Sequence, residues 1–371
     1  MSRIWRILLA VLLLLAVAAV GGSWWAWSQW TGPGPGSADT SVVVEVPVGM
    51  TLLAAADTLE ARGLLRDARV LLAGARLTGQ TRSLRAGLYR LPGGRSPRDL
   101  LADLTSGRTV QIRVTLAEGL DAEQSAAVLA DKLTFGAERF LVVADSLVRA
   151  RAAAEGWLPI GRGVAWMDSL LAEPGPQVPR RLHWCEGYLA PDTYLFGAGA
   201  DPLTVARHLI RTQWDRLDSA LAVASAGPKV FHSPHELLTL ASIVEAEARQ
   251  ANERTRIAAV YSNRLRQGRR LEADPTVAYL LHKRGRRMFF KDLEVASPYN
   301  TYRSGGLPPG PIGNPGLACL LAAARPDSTR ELYFVSDGHG GHVFSRTLRE
   351  HQEAVRRFRR AKAAERRRRG G

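Results

Sequence analysis

Residues 233–247, SPHELLTLASIVEAE, open like a helix and then turn almost wholly apolar. Ser233 stands where a side-chain oxygen caps a helix, Pro234 fits the first helical position, and Glu236 can bond back to the cap. From Leu237 to Val244 the run has no amphipathic stripe, so the helix is predicted to be buried on nearly all sides. Such a helix needs a folded domain around it. Glu245 arrives at the end of the buried run, where loss of hydration disfavours the charged form and suits a carboxyl to general acid work. Glu247 lies two positions on, about 200° around the helix, so the two carboxylates cannot share one cleft. The choice falls on Glu245 as the catalytic acid/base, because Ala241 and Ala248 flank it and leave room for a ligand. The plainer alternative is a surface pair of Glu245 with Arg249 at helical spacing.

On either side of this helix, polar and aromatic residues cluster in short strings without a period: CEGYLAPDTYLF (185–196), NRLRQGRRLEADPTVAY (263–279), SPYNTYRSGGLPPGPIGNPG (297–316) and LYFVSDGHGGHVFS (332–345). They read as loops lining a site. Sugar sites combine amides and carboxylates with aromatic faces, and Asn263, Asp274, Tyr279, Tyr299, Asn300 and Tyr302 supply that chemistry. Gly305 to Ile312 is too rich in glycine and proline for a helix or a central strand and is expected to form a stiff loop. His339 and His342 sit in a glycine-rich turn, with His351 further on and no acidic helix partner, so no metal site and no cofactor are expected. No GxSxG, P-loop or strand-linked GxGxxG occurs, which leaves serine hydrolase and nucleotide readings without support.

The N-terminal end carries a different signal. From Ile7 to Trp30 there is no charged residue, and LLAVLLLLAVAAV (8–20) followed by WWAW (24–27) is long enough to cross a bilayer core of about 30 Å. Arg3 and Arg6 precede it, so residues 1–6 are expected in the cytoplasm, 7–30 as a single transmembrane helix, and the rest outside the cytoplasmic membrane. Gly21, Gly22 and Ser23 make a poor cleavage site, against a removed signal peptide. Lys and Arg number 50 against 35 Asp and Glu, a formal charge of +15. That location excludes nucleic acid as a partner and favours lipid headgroups or anionic polymers. Part of the excess lies in a basic tail, 356–371, whose plainest reading is a solvated charge run.

The 371 residues, 46% hydrophobic and 23% charged, suffice for two domains with cores and exclude general disorder. Residues 31–40 form a Gly/Pro/Ser linker. From Ser41, SVVVEV reads as a strand, and Thr51 can cap a helix that stops at Gly63. Leu116, Gly119, Asp121, Ala126 and Leu129 echo Val46, Gly49, Thr51, Ala56 and Leu59 about seventy residues earlier. Residues 41–150 are therefore expected to be a small α+β module, 151–183 a linker or insertion, and 184–355 a mixed α+β catalytic domain. Two cysteines, Cys185 and Cys319, exclude a disulfide scaffold and leave one bridge open.

Taken together the strings resemble the endolytic murein transglycosylases, the MltG-like or YceG-like family, from about Ser41 to Phe358. The matching motifs are EGYLAPDTY (186–194), LASIVEAE (240–247), the strings beginning at Asn263 and Ser297, and LYFVSDGHGGHVFSRTLREH (332–351). The resemblance implies that the glutamate of LASIVE, Glu245, is catalytic, that the module after Ser41 is LysM-like, and that the enzyme is a lyase. Such enzymes cut the MurNAc–GlcNAc bond of nascent peptidoglycan strands, leave 1,6-anhydro-MurNAc ends, and set strand length beside cell-wall synthases. One carboxyl can serve both steps, whereas ordinary glycosidases use two. Glu186 and Asp192 follow as substrate contacts, and the motifs add Tyr194, Thr301 and Asn314. The rival readings are a non-catalytic peptidoglycan-binding scaffold and a two-carboxylate hydrolase.

Overall fold

The chain is described by a computed structural model over residues 3–47, 49–156, 164–171, 181–224 and 230–369. Its contacts divide it into two compact units, residues 1–113 with 195–200, and residues 114–194 with 201–371. The stretch 41–150 contributes to both units. Within 151–183, residues 157–163 and 172–180 lie outside the described residues.

The first unit begins with α1 (Arg3–Thr31), whose stretch Ile7–Thr31 has a mean hydropathy of 2.5 and is not buried in protein. It is long and apolar enough to span a membrane. Next along the chain are β1 (Ser41–Val46), α2 (Leu52–Ala61), α3 (Ala68–Leu77), β2 (Gly87–Pro92) and α4 (Pro97–Ser106). β1 pairs antiparallel with β2, Val44 opposite Tyr89. Period-two alternation turns Val44 and Val46 inward onto Leu59, Leu71, Leu91 and Leu100, the core of this unit. Thr51 caps α2 by accepting the N–H of Ala54 at 3.2 Å. Gly74 on α3 lies under Trp30, and a Cβ there would come within 2.2 Å of the indole, so the end of α1 is seated directly on α3.

β3 (Gln111–Thr115) and β4 (Thr193–Gly197) form a two-stranded sheet. The second unit adds α5 (Ala122–Lys132), α6 (Ala137–Glu155), α7 (Val164–Leu171), α8 (Pro202–Val223), α9 (Pro234–Glu247), α10 (Arg254–Arg266), α11 (Asp274–Leu280) and α12 (Leu317–Ala324). It ends with β5 (Tyr333–Ser336), β6 (His342–Ser345) and α13 (Leu348–Arg369). Gly119 (φ +77°) and the Asp121 cap of α5 repeat the local pattern of Gly49 (φ +87°) and the Thr51 cap of α2.

Helix α9 is the axis of this unit. Ser233 accepts the N–H of Glu236 at 3.2 Å, Pro234 takes the first turn, and every residue from Leu237 to Val244 is buried against α8, α10, α11 and α12. Each buried aliphatic side chain there contributes about 1.5–3 kcal/mol. His235, also buried, has Nδ1 2.8 Å from the Tyr188 hydroxyl and Nε2 2.8 Å from the Pro309 carbonyl, fastening the Gly/Pro loop to the start of α9. β5 and β6 form an antiparallel hairpin, Phe334 opposite Phe344, on which α13 packs. Cys185 and Cys319 are free and buried, so the bridge left open by the sequence is absent, and burial pushes both thiols above their usual range. The mixed α+β class with one apolar N-terminal helix is the observed architecture.

Candidate active site

The helical phase that separates Glu245 from Glu247 holds, and it sends the two carboxylates to different places. Glu245 turns toward the start of α12, where its Oε2 accepts the N–H of Gly316 at 3.0 Å and the Cys319 thiol hydrogen-bonds to it. The space expected beside it is occupied by Gly119, where an added Cβ would sit 3.6 Å from the Glu245 Cγ. Glu245 therefore braces the Asn314–Gly316 turn and is not among the residues lining the cavity beside Glu247. Small residues beside a carboxyl admit protein backbone as readily as a ligand.

Glu247, the last residue of α9, walls a cavity of about 580 Å³. It is half-buried, and its Oε1 accepts a hydrogen bond at 3.0 Å from the Tyr261 hydroxyl on α10. Burial pushes its pKa up to about 7; the Tyr261 bond and the Arg249 charge oppose this, and the Asp274 carboxylate adds to it. Asp274, first residue of α11, accepts the Tyr302 hydroxyl at 2.6 Å, and both line the cavity. Burial, then this bond, raises the Tyr302 phenol, keeping it a hydroxyl donor. Tyr333 and Phe334 of β5 supply ring faces. Tyr333 is set by a bond from Arg269 at 2.8 Å and by stacking on His351 at 5.2 Å. Arg264 is locked by the carbonyls of Arg270 (2.8 Å) and Leu332 (3.1 Å) and by Glu272. His342 pairs with Glu253 at 2.7 Å. The result is a wall of carboxylates and hydroxyls beside aromatic faces, with one carboxyl poised to exchange a proton near neutral pH.

Of the substrate-contact candidates named from the sequence, Asp274 and Tyr302 line this cavity and the others do not. Glu186 is buried, accepting the Ala122 N–H at 3.1 Å and the Tyr279 hydroxyl at 2.8 Å, and Tyr279 tilts against Tyr299. Asn263 donates to the carbonyls of Thr329 and Glu331, and Asn300 to those of Leu293 and Val295. Thr301 accepts the Ala273 N–H at 3.0 Å. Asn314 accepts from Leu189 N–H at 3.0 Å and donates to the Leu120 carbonyl at 2.9 Å. Tyr194 donates to the Ala190 carbonyl, and Asp192 pairs with Arg216 at 2.6 Å beside a shallower cavity. Tyr261, Tyr333 and Phe334 line the cavity without having stood out in the sequence as sugar contacts. Tyr261 follows the short apolar run Ile257–Val260, and only folding α10 back along α9 places it beside Glu247.

Comparisons with known proteins bear on this arrangement. Residues 44–357 match the model of the YceG-like family. A curated relative from Bacillus subtilis (strain 168), named endolytic murein transglycosylase, is 32% identical over 327 residues, covering 86% of this chain and 85% of the relative. A relative of the same name from Streptococcus pneumoniae (strain ATCC BAA-255 / R6) is 29% identical over 321 residues, covering 82% of this chain and 55% of that longer protein. The crystal structure of a yceG-like protein from Listeria monocytogenes superposes with a TM-score of 0.53 at 28% identity, covering 85% of this chain and 99% of that one. Since the family model spans the strand of the first unit, α9 and the walls of the cavity alike, the chain belongs to the YceG-like family.

Proposed function

We propose that the protein is an endolytic lytic transglycosylase of peptidoglycan, with Glu247 as its single acid/base. The observation that carries this reading is a carboxyl with its pKa raised to about 7 at the wall of a polar, aromatic-lined cavity. Protonated Glu247 gives its proton to the glycosidic oxygen as the bond from C1 of MurNAc to GlcNAc breaks. The resulting carboxylate then takes the proton of the C6 hydroxyl as that oxygen closes on C1, leaving a 1,6-anhydro end and restoring the acid. Asp274 and Tyr302 face the bound sugar, and Tyr333 and Phe334 offer it ring faces. Glu186, Asn263, Asn300, Thr301 and Asn314 act by holding the loops in place.

The apolar α1 supports an anchor in the cytoplasmic membrane with residues 1–6 inside and the cavity outside, close to nascent strands and their synthases. The strand–helix–helix–strand unit from Ser41 to Pro92, with its own core, supports a small glycan-binding module of LysM type.

The test is mass spectrometry of glycan strands incubated with wild type, Glu247→Gln and Glu245→Gln. Wild type yields anhydro-muramic ends, Glu247→Gln loses about 10²–10⁴-fold in rate, and Glu245→Gln still cleaves. A dead Glu245→Gln beside an active Glu247→Gln would return the acid/base to Glu245. Reducing ends would indicate a hydrolase, and no cleavage by wild type a scaffold.

A further inference from the structure

A second cavity, of about 540 Å³, opens at the other end of α9. Its walls include Trp166 on α7, His232, Glu236, Arg266 and the loop Ser304–Pro309. The two cavities share their framework. Glu236 and Glu247 stand eleven residues apart on one helix, about 16 Å along its axis. The segment that places Tyr302 in the first cavity continues into Ser304, Gly305 and Gly306 of the second.

The chemistry of the second cavity differs. Glu236 is already engaged, accepting the His232 N–H at 2.6 Å. Arg266 is exposed and makes no hydrogen bond or ion pair with any described residue. Gly305 and Gly306 present bare backbone, a Cβ on either meeting nothing within 4 Å, and Leu307, Pro308, Pro309 and Pro298 form a stiff apolar wall. A free guanidinium, open backbone and a proline wall suit an extended peptide bearing carboxylates and small apolar side chains. A sugar would call for the clustered phenol hydroxyls and paired ring faces that the first cavity has and this one lacks.

We propose that the second cavity is a subsite for the acidic peptide stems that branch from the glycan, with Arg266 pairing a stem carboxylate while the strand lies across the first cavity. This rests on the transglycosylase reading above. It makes the enzyme selective for strands that still carry their peptides, a property set about 16 Å from the chemistry.

The test measures KM and kcat of the full chain in detergent on two substrates of matched length, peptide-bearing strands and strands stripped of peptide by an amidase. The proteins are wild type, Arg266→Gln, Arg266→Lys and, as a control on an exposed face of α8, Arg207→Gln. Wild type is expected to show the lower KM on peptide-bearing strands. Arg266→Gln raises that KM about tenfold, leaves kcat and the stripped-strand KM unchanged, and Arg266→Lys recovers part of the loss. Equal losses on both substrates would make the cavity a saccharide subsite and overturn the proposal, as would no change on either. Wild type that cleaves neither substrate overturns the transglycosylase reading itself, and the proposal with it.

Discussion

At the scale of single residues, the site turns on which carboxyl holds a proton at neutral pH. Folding raises the Glu247 pKa from an ordinary 4.5 to about 7. Between those values the native chain binds more protons than the unfolded one, so this group's contribution to stability declines as pH rises through that window. Activity has the same sign, because the first step needs the acid protonated: kcat/KM is expected to fall above about pH 7. Replacing Asp274 by Asn removes a negative charge facing Glu247 and should move the falling limb to lower pH. Replacing Tyr261 by Phe removes the bond that favours the carboxylate and should move it higher. Tyr302, Arg249, Arg264, Glu272, His342 and His351 also face this cavity and stay in place in both variants. A pH–rate profile that shifts with neither substitution would show that Glu247 is not the titrating group. The helical repeat told correctly that Glu245 and Glu247 part company. It could not tell which face is open, since that depends on Gly119 and Gly316 arriving from distant parts of the chain.

At the scale of elements, the helix starts were legible and most of the loop chemistry was not. Ser233 and Thr51 cap the helices their sequences announce, because capping is settled within four residues. Removing the first of these, Ser233→Ala, should cost about 1 kcal/mol, read as a lower denaturation midpoint with cleavage retained, since Glu247 lies at the opposite end of α9. Asn263, Asn300 and Asn314 looked like sugar contacts, yet each spends its amide on backbone carbonyls of irregular segments. An amide serves either purpose equally well in one dimension, and only the surrounding backbone decides. Asp274 and Tyr302, by contrast, were found by composition and do meet at the cavity, because the motif strings that contain them fold against the end of α9.

At the scale of the whole molecule, α1 is the one helix among the described residues long and apolar enough to cross a membrane. Expressed whole in bacteria, the protein should remain in the membrane fraction through alkaline washing. In spheroplasts, added protease should remove the region after Ser41 while sparing a tag placed before Arg3. Protection of the catalytic region instead would invert the proposed topology. The sequence announced this segment clearly, because a bilayer imposes length and apolarity on consecutive residues. The second unit is assembled from contacts that span much of the chain, and one buried imidazole joins three of its segments. Tyr188 and Pro309 lie 47 and 74 residues from His235 along the sequence, and both meet its ring. Burial lowers the His235 pKa to about 4, so near neutral pH the ring carries a single proton. The Pro309 carbonyl can only accept, which places that proton on Nε2 and leaves Nδ1 to accept from the tyrosine hydroxyl. The tautomer is thus set by connectivity, and its slowly exchanging ring proton is a built-in nitrogen-15 NMR reporter of whether the Gly/Pro loop is seated.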